Sequence, residues 1–218
     1  MNPVVDVSFR VLGGSIPADH GYALYSAISR LLPKLHGDAE MGIHAINGRN
    51  VGDRVLELTE SSRLIVRIGA SRIKDILPLA GTTIDLDGHK LRVGSPSTHA
   101  LIPATQLYSR LVVIKGFMDP EGFLEATVRQ LKEIAVKGKP KLIDTSEAAR
   151  ANEALPRGTH SPVLRRTLRI RDKMIVGFAL LVDELVADES IRLQERGLGG
   201  RRRFGCGMFV PAKTRNMN

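Results

Sequence analysis

Apolar and polar residues alternate over residues 4–12 (V-V-D-V-S-F-R-V-L), the period of a half-buried strand. Apolar residues then recur at helical spacing over about 20–32, where Asp19 is placed to cap the helix and Pro33 to end it. Shorter elements are predicted in the rest of this half: extended segments at 42–46, 54–58 and 64–68, a short helix at 71–79, and a hairpin of 82–86 and 89–93 around Asp87-Gly88.

The second half follows the same order. A strand over 108–114 leads to a helix that runs to about residue 137, with Asp119 as its cap and Pro120 in its first turn. The remaining predictions are a polar connection over 138–162, a hairpin of 164–170 and 173–185, a helix capped by Asp188 that reaches Arg196, and a last strand at 208–210. Each half thus reads strand, helix, strand, strand, helix, strand.

That order predicts a four-stranded antiparallel sheet with both helices on one face. The predicted fold class is therefore α+β, built from tandem ferredoxin-like domains with a C-terminal glycine-rich loop. The domains are placed at 1–97 and 98–218.

The glycine-rich loop lies between Arg196 and Pro211. Glycine adopts φ > 0 without steric cost and lets a ligand approach the backbone, and arginine presents a planar charged fork that suits phosphate oxygens. The segment predicts a loop that binds a polyanion through main chain and side chains, more for affinity than for chemistry. A flexible basic hairpin without a partner is the alternative, but the apolar strand that follows anchors the loop. The predicted binding residues are Arg196, Gly197, Gly199, Gly200, Arg201, Arg202, Arg203, Gly205 and Gly207.

Charge narrows the class of partner. The 218-residue chain carries a formal net charge of +9, with a pI near 10.0, which favours nucleic acid first, a membrane surface second, and ordinary solvated basicity third. No run approaches the roughly 20 apolar residues of a membrane span, and the first residues lack the pattern of a signal peptide. The single cysteine, Cys206, excludes an internal disulfide and fits a reducing cytoplasm. We expect a cytoplasmic protein with no membrane partner.

Histidines are the strongest candidates for chemistry. No metal-binding motif and no phosphate-binding loop of the nucleotide triphosphatases is present, so no metal and no cofactor is expected. His20 and His36 flank the first predicted helix, and histidine transfers protons near neutral pH. Paired histidines in a basic protein indicate RNA cleavage, in which the 2′-hydroxyl is an internal nucleophile. A surface or capping role is the alternative for each; His89, His99 and His160 are assigned no function.

The motif G-L-G-G-R-R-R-F-G-C-G, together with the tandem pattern, resembles the CRISPR-associated RAMP superfamily. Within that superfamily, I-P-A-D-H-G-Y-A-L-Y-S-A-I-S-R-L-L-P-K-L-H-G followed by I-H-A-I-N-G-R is similar to the repeat-processing endoribonucleases, and most to the MYXAN subtype of type I systems. The resemblance covers essentially the whole chain.

The resemblance implies metal-independent cleavage of the CRISPR repeat in precursor RNA. The products would be a 2′,3′-cyclic phosphate (or a 3′-phosphate) and a 5′-hydroxyl, and the protein would stay bound to the 3′ hairpin. The implied partners are precursor and mature crRNA and other subunits of a type I effector complex. His36 matches the family's acid or base, His20 with Tyr22 completes the site, and Arg49 is the nearest cation for the phosphate.

Two other functions stay open. A non-catalytic RNA-binding subunit of the effector complex would share the fold. A general RNA-binding or ribosome-associated basic protein would bind many RNAs with little preference for one repeat.

Overall fold

A computed structural model describes residues 2–145 and 163–212. The chain mixes helices with antiparallel strands and divides into two compact units. The first unit comprises residues 1–101, 168–174 and 202–205, and the second comprises 102–167, 175–201 and 206–218. Neither unit is a continuous stretch of chain, so the last quarter of the sequence contributes short segments to the first unit.

The first unit is centred on β1 (Val4–Leu12). β1 pairs with β6 (Arg63–Gly69) on one side and with β8 (His89–Ala100) on the other. β3 (Gly42–Ile43) and β7 (Thr83–Leu86) complete a sheet of order β3-β6-β1-β8-β7. The predicted domain boundary between 97 and 98 falls inside β8. A second, small sheet contains β2 (Ser15–Pro17), β5 (Val55–Glu57) and β4 (Arg49–Gly52).

Helix α1 (Gly21–Leu31) covers the larger sheet of the first unit because its apolar stripe is buried. Leu24 and Ile28 pack in one core with Val7 and Phe9 of β1. A 3₁₀ turn over Pro33–Leu35 follows α1. The second helical region of this unit consists of a 3₁₀ turn (Ala70–Arg72), the single turn α2 (Ile73–Ile76) and a further 3₁₀ turn (Leu77–Leu79).

The second unit has its own core and sheet. β9 (Leu107–Val112) lies between β12 (Lys173–Asp183) and β13 (Val210–Pro211), and β10 (Lys139–Leu142) pairs with the far edge of β12, which gives the order β10-β12-β9-β13. β11 (Arg165–Ile170) also pairs with β12. The helices are α3 (Pro120–Glu133) and α4 (Ala187–Arg196). In the described ranges, no helix is long and apolar enough to span a bilayer.

Of the three predicted helix caps, the structure contains one. The Asp119 cap is confirmed, since its Oδ1 accepts a hydrogen bond from Gly122 N at 2.7 Å. The Asp19 cap is wrong: His20 is the N-cap, while Asp19 Oδ2 accepts from Arg169 N at 2.8 Å. Asp188 lies inside the first turn of α4, which is capped at Val186, so that prediction was also wrong.

Three strands were missed: β2, β4 and β10. Gly138 and Pro140 predict an irregular connection, but residues 139–142 form β10. Proline is tolerated there because β10 is an edge strand of its sheet, where one side of the backbone needs no ladder partner. The rest of the predicted connection, including His160, lies outside the described residues.

Candidate active site

His20 lies buried at the start of α1, with 1% of its surface exposed. Its Nε2 accepts a hydrogen bond from Ile46 N at 2.9 Å, so Nδ1 carries the proton and donates to Pro17 O at 2.7 Å. The neutral ring therefore joins the segment before α1 to the loop after β3. Since both nitrogens are bonded and buried, this geometry favours a structural role for His20 and gives no support to the predicted proton transfer.

His36 has the opposite environment at the other end of α1. It follows the 3₁₀ turn over Pro33–Leu35 and is exposed. Its ring stacks on Tyr25 with centroids 6.1 Å apart and planes 29° from parallel. The Tyr25 hydroxyl accepts from Gly37 N at 2.9 Å, which fixes the backbone beside the histidine. His36 is thus held by one face, and no hydrogen bond from the described part of the chain occupies its nitrogens.

Phe204 packs against the first half of α1. Its ring meets Tyr25 edge-on at 5.1 Å and Tyr22 at 5.7 Å, and the two tyrosines share a helix face three residues apart. A Cβ at Gly21 would lie 2.3 Å from Phe204 O, so only glycine permits this approach. We call Tyr22, Tyr25, His36 and Phe204 the aromatic cluster. Tyr25 and Phe204 are site residues that the sequence reasoning missed.

Tyr22 also borders a pocket of about 450 Å³ in the first unit. Its hydroxyl accepts a hydrogen bond from Arg171 Nε at 3.2 Å. Because the oxygen accepts here, its own proton is free to donate. The other charged residues that line this pocket are Asp19, Arg30, Asp85, Asp87, Arg169 and Asp172.

Arg203 stacks on the aromatic cluster. Its Cζ lies 5.2 Å from the centre of the Tyr25 ring and 5.3 Å from the centre of the Phe204 ring, both within the range of a cation–π contact. One side chain from the glycine-rich segment is therefore fixed against the same tyrosine that holds His36.

Arg202, the preceding residue, belongs to a buried charge cluster that we define as Asp6, His44, Arg67 and Arg202. Arg67 is 1% exposed, and its Nε and Nη2 donate to the two Asp6 oxygens at 2.7 and 2.8 Å. His44 Nε2 lies 3.6 Å from Asp6 Oδ1. The Nε and Nη2 atoms of Arg202 are buried and have no hydrogen-bond partner among the described residues.

Burial sets the charge states in this cluster. Burial alone would raise the pKa of the Asp6 carboxyl, but the bonds from Arg67 and the influence of His44 outweigh it and hold that pKa well below its usual range. Burial lowers the pKa of His44, and the Asp6 carboxylate only partly offsets this. Burial, and then repulsion from Arg67, lowers the pKa of Arg202 to about 10.

The glycine-rich segment is folded, but its backbone is not an open anion cradle. Gly199 N donates to Gln130 Oε1 at 2.7 Å, Gly200 N to Val113 O at 3.0 Å, and Gly207 N to Leu111 O at 2.7 Å. These three donors are used by the protein, so this geometry gives no support to the predicted main-chain contacts with a polyanion, which stay a prediction. The predicted φ > 0 is confirmed at Gly197, Gly199, Gly205 and Gly207. Arg196 and Arg201 are exposed.

Arg49 is also committed elsewhere. It lies on the exposed strand β4, and its Nε donates to Glu57 Oε2 of β5 at 2.8 Å. This pairing favours a surface ion pair over the predicted phosphate contact. Within residues 2–145 and 163–212, no group of histidine, cysteine, aspartate and glutamate side chains is arranged to hold a metal ion.

Comparison with known proteins identifies the family. The family model described as "Cas6 Crispr" matches residues 5–214. A curated protein from Myxococcus xanthus (strain DK1622), named "CRISPR-associated endonuclease Cas6", is 37% identical over 207 residues, which cover 95% of this chain and 81% of the relative. The chain therefore belongs to the Cas6 CRISPR family, and the resemblance to repeat-processing RAMP proteins is confirmed.

Solved structures agree on the fold. A structure described as "CRISPR associated protein Cas6" superposes with a TM-score of 0.67 at 11% identity, over 96% of this chain and 100% of the other. One described as "An RAMP protein binding different RNA substrates" gives 0.66 at 12% identity, with the same coverage. A Cas6-related protein from Pyrococcus furiosus gives 0.63 at 13% identity, over 97% and 100%.

Proposed function

We propose that this protein is a metal-independent endoribonuclease that cleaves the CRISPR repeat in precursor RNA to give mature crRNA. Family membership and the 37% identical relative named as an endonuclease support the substrate class. The observation that carries the chemistry is the His36 ring, which is exposed, stacked on Tyr25, and free to exchange a proton with a bound phosphodiester.

The reaction we propose needs only proton transfers and charge stabilisation. The 2′-oxygen attacks the adjacent phosphorus and forms a 2′,3′-cyclic phosphate, while the bond from phosphorus to the 5′-oxygen breaks. Protonated His36 gives its proton to that 5′-oxygen, which leaves as a hydroxyl. The proton of the 2′-hydroxyl passes to water, so atoms and charge balance.

Tyr22 is the partner that we assign to the ribose. Its hydroxyl keeps a proton to donate while it accepts from Arg171, so it can orient a ribose oxygen. His20 is left out of the proton transfers because both of its nitrogens bond backbone atoms. Its role in the proposal is to position the start of α1, and therefore Tyr22.

The two units support a tandem ferredoxin-like assignment, which we include in the proposal. The larger sheet of each unit has the same central pattern, in which the first long strand in chain order lies between two later strands. β1 lies between β6 and β8, and β9 lies between β12 and β13. The proposed partners are precursor and mature crRNA, with the 3′ repeat hairpin retained after cleavage, and other subunits of a type I effector complex. The proposed location is the cytoplasm.

The test is cleavage of labelled repeat RNA in EDTA, followed by analysis of the new ends. We expect one cut within the repeat that leaves a 2′,3′-cyclic phosphate and a 5′-hydroxyl. A substrate with 2′-deoxyribose before the cut is the control, and it should bind without being cleaved. Activity that EDTA abolishes and magnesium restores would refute the proposed mechanism, and binding without cleavage would favour the non-catalytic subunit.

A further inference from the structure

We propose that Arg203 binds the non-bridging oxygens of the phosphate that is cut, and so supplies the cation beside His36. The inference rests on the proposed function and names a residue in its active site. It also gives one arginine of the glycine-rich segment a role in the reaction, whereas the three consecutive arginines were expected to serve binding more than chemistry.

The first step is that Arg203 is a fixed cation with free donors. Its guanidinium stacks on Tyr25 and Phe204, which uses its planar face. Among the described residues, none gives this guanidinium a hydrogen-bond acceptor or an acidic partner. The N–H groups in the plane of the fork are therefore available, and their geometry suits two phosphate oxygens at once.

The second step is location. The Tyr25 ring lies 5.2 Å from Arg203 Cζ and 6.1 Å from the centre of the His36 ring. Both groups contact the same ring, so one tyrosine sets the positions of His36 and Arg203. Aromatic contacts at Phe204 further limit the motion of Arg203, so the charge is in place before RNA binds.

The third step compares Arg203 with three other arginines of the first unit. Arg49 is paired with Glu57, and Arg171 donates to Tyr22. Arg202 has unbonded nitrogens, but they are buried in the charge cluster with Arg67. Arg203 combines accessible donors with contact to the ring that holds His36.

The chemical consequence follows from the transition state. As the 2′-oxygen attacks, negative charge grows on the non-bridging oxygens, and a fixed donor is worth most where charge develops. Loss of one such donor typically costs about 10² to 10³ in rate. Arg203→Ala should therefore lower the single-turnover rate at saturating RNA by about 10², while the dissociation constant changes only a few-fold.

Arg129→Ala is the matched control. Arg129 is an exposed arginine of α3 whose Cζ lies 5.3 Å from the Phe117 ring, so its loss removes one positive charge and one cation–π contact in the second unit. The control should cleave at the rate of the unmodified protein. Arg203→Gln keeps much of the side-chain length without the charge, and replaces Arg203→Ala if the alanine variant melts at a much lower temperature.

Two further measurements separate phosphate contact from loss of packing. Low-millimolar guanidinium should restore part of the rate of Arg203→Ala, and leave Arg129→Ala unchanged. Sulfur at one non-bridging oxygen of the cut phosphate should slow the unmodified protein in one stereoisomer, and this difference should shrink in Arg203→Ala. A purely structural role predicts neither result.

The outcomes are distinguishable from failure of the proposed function. If the unmodified protein does not cleave repeat RNA, the proposed function fails. If it cleaves, but Arg203→Ala retains the full saturating rate, or shows no guanidinium rescue and an unchanged sulfur effect, the inference about Arg203 is overturned and the endoribonuclease proposal stands.

Discussion

Two pairs of histidine and arginine in the first unit have opposite surroundings. His36 and Arg203 both lie against the Tyr25 ring, and the His36 side chain is exposed to solvent. His44 and Arg202 lie in the buried charge cluster, where burial lowers the pKa of each. Arg202 and Arg203 are adjacent in sequence, yet one side chain enters the charge cluster and the other the aromatic cluster.

The difference shows why residue type alone does not define a site. A buried histidine that is kept neutral beside an ion pair contributes to stability, because charging it would cost desolvation. His36 is exposed and stacked on an aromatic ring, where its ring can reach a bound phosphodiester. We therefore assign chemistry to the aromatic cluster and stability to the charge cluster.

The largest expected effect is on the aromatic cluster. His36→Ala should lower the single-turnover cleavage rate by about 10² to 10⁴, the usual contribution of general acid–base assistance. RNA affinity should stay within a few-fold, because the basic surface is unchanged. The measurement is cleavage of repeat RNA at saturating protein.

His99→Ala is the control for this prediction, since His99 is an exposed histidine of β8. A His36→Ala rate within a few-fold of the unmodified protein would break the comparison. It would leave His36 as a residue that ends the 3₁₀ turn.

Asp6→Ala tests the charge cluster in the same way. Removal of the carboxylate takes two charged hydrogen bonds from the buried Arg67 guanidinium, which should lower the free energy of unfolding by about 3–5 kcal/mol. Urea unfolding measures this change. Glu57→Ala, which breaks the exposed pair with Arg49, should cost less than about 1 kcal/mol. Similar losses in the two variants would contradict the assignment of stability to the buried cluster.

The dependence of stability on pH sharpens the comparison. The pKa of His44 is lowered in the folded state, whereas in the unfolded chain it is about 6.5. Below about pH 6.5 the unfolded chain therefore binds more protons at His44 than the folded protein does. The stability that neutral His44 contributes is present above that pH and is lost as pH falls. The Asp6 contribution has the same sign, and is lost only below about pH 3.9, the unfolded value.

His44→Gln should therefore flatten the fall in unfolding free energy between about pH 6.5 and 5. One proton changes this free energy by at most about 1.4 kcal/mol per pH unit. The measurement is urea unfolding of both proteins across this window. Equal slopes of unfolding free energy against pH would mean that the pKa of His44 does not change on unfolding. That result would contradict the effect expected from burial beside Asp6, Arg67 and Arg202.

Sequence reasoning succeeded where the relevant contact is local. The Asp119 cap was predictable because its acceptor and the Gly122 donor lie in one helical turn. Asp19 has the same pattern, but its carboxylate bonds Arg169 N, 150 residues away, which no local pattern reveals. The structural contact of His20 was hidden for the same reason, since Ile46 N, 26 residues later, donates to its Nε2.

The aromatic cluster was only half predictable. The helical spacing of Tyr22 and Tyr25 indicates a shared face, and His36 was found from its place after α1. Phe204 lies near the C-terminal end of the sequence and approaches α1 only because Gly21 has no Cβ. The sequence does not show that these two residues are in contact. That Arg202 and Arg203 separate into different environments likewise depends on the 3₁₀ turn over Arg202–Phe204.

Arg201, the first of the three consecutive arginines, gives the smallest expected effect. It is exposed and has a φ of +68°, and it contacts neither cluster defined above in the described contacts. If it binds one RNA phosphate, Arg201→Ala should weaken binding and reduce the slope of log affinity against log salt by roughly 0.7 to 0.9. Because alanine is strained at the same φ, any change in stability should be small. Affinity measured over a series of salt concentrations, with Arg129→Ala beside it, gives the slope. A fall in the saturating cleavage rate without a change in slope would place Arg201 with Arg203 in the chemistry and end the distinction between the consecutive arginines.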